Sequence, residues 1–105
     1  LFYAPVKAVK TLLELQGVGL DHFDLIELNE AFASQVLADS KELGWDMSKL
    51  NVNGSGISMG HPIGCSGARI VVTLIHALRD RGLSKGLAAI CLGAVAATAM
   101  SVELL

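Results

Sequence analysis

The chain has 105 residues, of which 52% are hydrophobic and 17% charged, with a net charge of −2. That length allows one domain at most, and the apolar balance is high for a small domain wet on all sides; it suits strands buried on both faces, or a piece packed against more protein. The slight acidity and the lack of a basic run argue against nucleic-acid binding, and the most apolar window, residues 87–100, is shorter than the ~20 residues a bilayer span needs. Residues 1–5 have neither the charged front nor the apolar core of a signal peptide.

Residues 5–16 read as a helix, with Pro5 in its first turn, Val6, Val9, Leu12 and Leu13 at helical spacing, and Gly17-Val18-Gly19 as its stop. Residues 23–28 are nearly continuous in apolar side chains and read as a short strand. A second helix is predicted over 31–43, burying Phe32, Val36 and Leu37 on one face and ending at Gly44. Residues 49–52 read as a strand leading into Asn53-Gly54-Ser55-Gly56. Ser66 is placed to cap a third helix over 67–81, whose core face would be Ile70, Val71, Leu74, Ile75 and Leu78. Arg79 and Arg81 suit the negative end of its dipole. Residues 86–92 and 98–105 close the chain as two strands. No repeat, low-complexity tract or linker interrupts this alternation, which predicts an α/β layer architecture with right-handed crossovers.

Chemistry gathers where apolar segments meet turns. In Met59-Gly60-His61-Pro62-Ile63-Gly64-Cys65-Ser66-Gly67-Ala68-Arg69 a histidine sits on a Gly/Pro bend at the foot of a helix. Pro62 fixes its own φ and pushes His61 toward an extended conformation. Asn29-Glu30-Ala31-Phe32 follows one apolar run and Cys91-Leu92-Gly93 follows another. Open α/β sheets collect active-site residues at such strand ends. The two cysteines form no CxxC and have no paired histidine, so there is no zinc signal. Free thiols suit a reducing compartment, cytoplasm or organelle matrix, and not secretion. Cys65 reads as a small buried filler, and His22 and His76 as surface or packing residues.

With Asn-Glu-Ala-Phe, then Asn-Val-Asn-Gly before Gly-His-Pro-Ile-Gly, then Cys-x-Gly, the chain closely resembles the C-terminal domain of thiolases, over nearly its whole length. Thiolases are acyl-CoA acyltransferases that make or cleave 3-ketoacyl-CoA, such as acetoacetyl-CoA. The resemblance implies a thiolase-like C-terminal half: an α/β fold whose mixed, mostly parallel sheet has covering helices and lacks its first, central strand. It makes residues 1–105 a fragment of a longer two-domain enzyme, whose nucleophilic cysteine lies in an N-terminal thiolase domain, so that the fragment alone is inactive. It implies His61 as general base for that cysteine and as an oxyanion donor, and Cys91 as the acid/base acting on the α-carbon. Asn29 would hold a water that binds the thioester oxygen, the N–H of Gly93 would serve an oxyanion hole, and Phe32 would line the pantetheine channel. Coenzyme A and acyl-CoA would be substrates, with no permanently bound cofactor and no metal, and the complete enzyme a homodimer or homotetramer. The other reading is a non-catalytic, thiolase-derived piece with a structural or interaction role. Ketosynthases pair their cysteine with two histidines, whereas this chain has Cys91 at the third position. One departure stands out: after Cys-x-Gly the family usually has further glycines, and here the chain reads Ala94-Val95-Ala96-Ala97. Ala and Val resist positive φ, so this hairpin must be remodelled or its turn moved.

Overall fold

Four consecutive residues buried on both sides make up β1 (Leu25–Leu28), and that double burial is why its sequence is nearly unbroken in apolar residues. The computed structural model describes residues 3–93 and 95–105. Around β1 lie α1 (Ala4–Gln16), α2 (Ala33–Leu43), the single turn α3 (Gly56–Met59), α4 (Ser66–Arg81), β2 (Lys85–Leu92) and β3 (Ala96–Glu103). The strands form one mixed sheet in the order β1-β2-β3. β1 runs parallel to β2, with Leu25 opposite Gly86 and Leu28 opposite Ala89. β2 and β3 form an antiparallel hairpin from Lys85 opposite Glu103 to Leu92 opposite Ala96.

Each face of the sheet carries its own core. On one side α1 packs on β2 and β3, and Val9, Phe23, Ile26, Leu28, Val36, Trp45, Leu87 and Ala89 are buried together. On the other α4 lies over β1 and β2, and Ile70, Leu74, Ala77 and Leu78 meet Leu25 and Ala88. Val71 packs at the margin of this second cluster, while Ile75 is half-buried.

Six expectations are corrected. Residues 49–52 form no strand; a 3-10 turn covers Met47–Lys49, and Leu50 makes one isolated parallel bridge to Ile26. The reason is Asn51, whose φ of 47° breaks an extended run. α2 starts at Ala33, because Phe32 is extended and stands in the cap position. The buried face of α2 is Gln35, Val36, Asp39 and Ser40, which leaves Phe32 and Leu37 58% and 63% exposed. Ser66 lies inside α4, and Cys65, which takes the cap position without a side-chain bond, is exposed rather than a buried filler. The last strand begins at Ala96 and ends at Glu103.

Candidate functional site

Parallel pairing brings the carboxyl ends of β1 and β2 together, and α4 starts over the same edge. The Asn29 N–H donates to the Ala89 carbonyl at 3.0 Å, one residue beyond the end of β1. Cys91 stands further along β2, half-buried, opposite Ala97. Gly93 turns the chain toward β3 with φ 56°, a value glycine adopts without a steric penalty. Among the described residues Asn51 is the one non-glycine residue with positive φ, so Val95, Ala96 and Ala97 close the hairpin without that strain. Ala96 and Ala97 are strand residues paired with Leu92 and Cys91. Gly93 thus supplies the positive φ of the hairpin; Ala94 lies outside the described residues.

His61 is exposed, on the bend between α3 and α4. Its Nδ1 is 2.5 Å from Ser66 Oγ, and that hydroxyl donates its proton to the Pro62 carbonyl at 3.0 Å. The same oxygen thus meets both the imidazole and the Pro62 carbonyl, holding the ring against the first turn of α4. Phe32 lies exposed at the start of α2. Among the described residues no hydrogen bond joins His61, Cys91 and Asn29 to one another.

Asn29 is fully buried amid polar groups that the sequence did not single out. Glu27, in β1 and 2% exposed, accepts from Arg69 Nη1 at 3.1 Å. Arg69 Nη1 also reaches Thr73 Oγ1 at 3.3 Å, and its Nη2 donates to Ser55 Oγ at 2.7 Å and to Asn29 Oδ1 at 3.5 Å. Ser55 passes its own proton to the Leu28 carbonyl at 3.2 Å. Burial pushes the Glu27 carboxyl up to about 7, against the pull of the Arg69 guanidinium. Asn29 Nδ2 is buried and has no partner among the described residues.

Asn51 ties this edge shut. Its Oδ1 accepts the Leu28 N–H at 2.8 Å, while its Nδ2 donates to the Leu28 carbonyl at 2.9 Å and to Glu30 Oε2 at 3.3 Å. Glu30 Oε1 accepts the Ile57 N–H at 3.2 Å, fixing the start of α3. A Cβ on Gly56 would stand 2.6 Å from the Glu30 carbonyl oxygen and 3.4 Å from Asn29 Oδ1, so backbone passes against backbone here.

The arrangement offers an imidazole held by Ser66, a thiol near the end of β2, and a buried amide donor. One signal for the missed residues was present: a glutamate at 27 in a run buried on both faces demands a partner. No group of three or more His, Cys, Asp or Glu side chains converges among the described residues, and no helix there is long and apolar enough to cross a membrane.

Comparison with known proteins bears on this edge. The profile of the thiolase C-terminal domain family matches residues 1–104. The chain is 54% identical over 99 residues to an acetyl-CoA acetyltransferase of Escherichia coli, covering 94% of this chain and 25% of that protein. It is 52% identical over 103 residues to one from Syntrophomonas wolfei, covering 96% and 26%. The crystal structure of the Bacillus anthracis acetyl-CoA acetyltransferase superposes with a TM-score of 0.96 at 51% identity, covering 99% of this chain and 26% of that one. The chain thus spans about a quarter of the length of the curated relatives it matches.

Proposed function

The chain belongs to the thiolase family, as its C-terminal domain, and from that premise we propose that residues 1–105 supply half of the active site of a longer two-domain acyl-CoA C-acyltransferase. Its substrates are coenzyme A and short acyl-CoA, with acetoacetyl-CoA made or cleaved. The other domain supplies the nucleophilic cysteine, and the segment alone is inactive. The complete enzyme is a homodimer or homotetramer working in a reducing compartment.

The observation that supports this reading is the meeting of Asn29 and Cys91 at the carboxyl ends of neighbouring parallel strands, with Arg69 of α4, the helix that follows the His61 bend, reaching Asn29. In the first half-reaction the His61 imidazole takes the thiol proton, the thiolate attacks the thioester carbonyl, and the CoA sulfur leaves with a proton from the imidazolium. In the second, Cys91 as thiolate removes the α-proton of a second acyl-CoA, and the enolate attacks the acylated cysteine, whose sulfur departs. Charge on the enolate oxygen is met by His61 and by a water held on Asn29, and charge on the tetrahedral oxygen by the Gly93 N–H. Phe32 lines the path of the pantetheine arm.

The test separates the half-reactions. In the complete enzyme His61→Ala should abolish acyl-enzyme formation, whereas Cys91→Ala should keep it and lose condensation and α-proton exchange. General acid–base groups contribute about 10²–10⁴-fold, so rapid-quench measurement of the acyl-enzyme burst resolves both. Normal condensation by Cys91→Ala would make the thiol a packing residue, and full activity in both variants would leave the non-catalytic reading standing.

A further inference from the structure

We propose that Arg69 is a positioning residue that sets the orientation of the Asn29 side-chain amide, and that Glu27 and Ser55 hold it in place to do so. The proposal rests on the reading of Asn29 given above and deepens it. A primary amide has one accepting and one donating end of nearly equal size, so a buried asparagine turns over unless its surroundings distinguish the two. A guanidinium carries donors alone. Facing Arg69 Nη2, Asn29 must present Oδ1, and at 3.5 Å the contact acts less as a strong bond than as a bar to the reversed rotamer, which would set two donors against each other. Nδ2 is thereby turned away as a buried donor with no partner among the described residues.

The guanidinium is itself fixed. Its two terminal nitrogens meet Glu27 Oε1, Thr73 Oγ1, Ser55 Oγ and Asn29 Oδ1. Ser55 can only accept from Arg69, since its proton goes to the Leu28 carbonyl. Glu27 balances the buried cation at 3.1 Å. An ammonium at position 69 would keep the charge but is a single point on a flexible stem, unable to span four acceptors. Gly56 completes the seat, because a Cβ there would stand 2.6 Å from the carbonyl oxygen of Glu30, the residue that follows Asn29.

The experiment is a double-mutant cycle in the complete enzyme, with Asn29→Ala, Arg69→Lys and the pair together. Acyl-enzyme burst, α-proton exchange, and kcat and KM for condensation are measured on each. Arg69→Lys should lower condensation kcat and α-proton exchange by about tenfold, within the range of coupling between contacting residues, with the burst and KM unchanged. In the Asn29→Ala background it should cost nothing more. Equal loss in both half-reactions, or full additivity with Asn29→Ala, would show a merely structural arginine and overturn the proposal. Normal condensation by Asn29→Ala would instead remove the functional reading beneath it. Should Arg69→Lys fail to fold, Ser55→Ala removes one anchor of the same guanidinium. It should slow condensation alone, without additivity to Asn29→Ala, and a loss shared with acyl transfer would be equally fatal.

Discussion

Asn51 holds a left-handed φ of 47° and, with its side-chain amide, pairs the N–H and the carbonyl of Leu28 as a neighbouring strand would. Two requirements meet in one residue, and substitution can separate them. Asn51→Gly keeps the backbone comfortable but leaves the Leu28 N–H unpaired and its carbonyl with Ser55 Oγ alone, which costs about 1–3 kcal/mol for the buried donor left without a partner. Asn51→Ala adds the strain of a Cβ at positive φ, a further ~1 kcal/mol. The urea midpoint should therefore fall in the order Asn51, Gly, Ala. Equal midpoints for the two variants would mean that the backbone strain is negligible. The consequence for the site is direct, because Leu28 immediately precedes Asn29.

At the scale of elements, the seam between α4 and the sheet turns on Gly86. A Cβ there would lie 2.8–2.9 Å from three atoms of the Leu74 side chain, and Leu74 is itself buried. Gly86→Ala should destabilise by about 1–3 kcal/mol through overpacking, and Leu74→Ala by about 2–5 kcal/mol through a cavity. The double variant should lose clearly less than the sum, since the new methyl enters the space that leucine vacates; thermal denaturation of the three proteins decides it. Such seams were partly legible beforehand: Ile70, Leu74 and Leu78 at helical spacing, and the unbroken run of β1, located one side of the core from sequence. α2 was not, because its apolar Phe32 and Leu37 face outward. Its inner face carries Gln35 and Asp39, which share a 2.6 Å hydrogen bond between side chains one turn apart, while Gln35 Oε1 and Asp39 Oδ1 are buried without a partner among the described residues. Hydrophobic periodicity has no means of recognising a polar pair as interior. The same limit explains the site. His61, Asn29 and Cys91 stand at turns and strand ends, where a sequence marks its own punctuation. Arg69 and Glu27 sit inside regular elements 42 residues apart, and only folding joins them.

Over the whole molecule, two carboxylates give stability opposite dependences on pH. Backbone N–H groups of Lys85 and Ser84 hold Asp24 below its ordinary value, so its contribution is present above the unfolded pKa and is lost as pH falls. Glu27 is raised by burial to about 7 from an ordinary 4.5. Between those values the folded chain keeps a proton that the unfolded chain has released, so this contribution is complete below 4.5 and declines as pH rises through neutrality. Urea midpoints measured from acid to mildly alkaline pH should show both limbs. Glu27→Gln should flatten the limb around neutrality and Asp24→Asn the acid one, and an unchanged neutral slope in Glu27→Gln would place its origin elsewhere.

The pairing of β1 with β2 also has a meaning in time. The hairpin of β2 and β3 closes over a few residues, from Leu92 to Ala96, and α4 leads straight into it. β1 must come from far away along the chain: Asp24 meets Lys85 across 61 residues, and closing so long a loop carries an entropy cost that local contacts do not. Helix and hairpin can therefore assemble first and wait for the distant strand. That distant strand brings Glu27 and leads into Asn29, so the arginine seat and the amide it orients come into being only when β1 docks beside β2. A chain whose β1 has not docked lacks them, and chemical competence is thereby tied to that pairing.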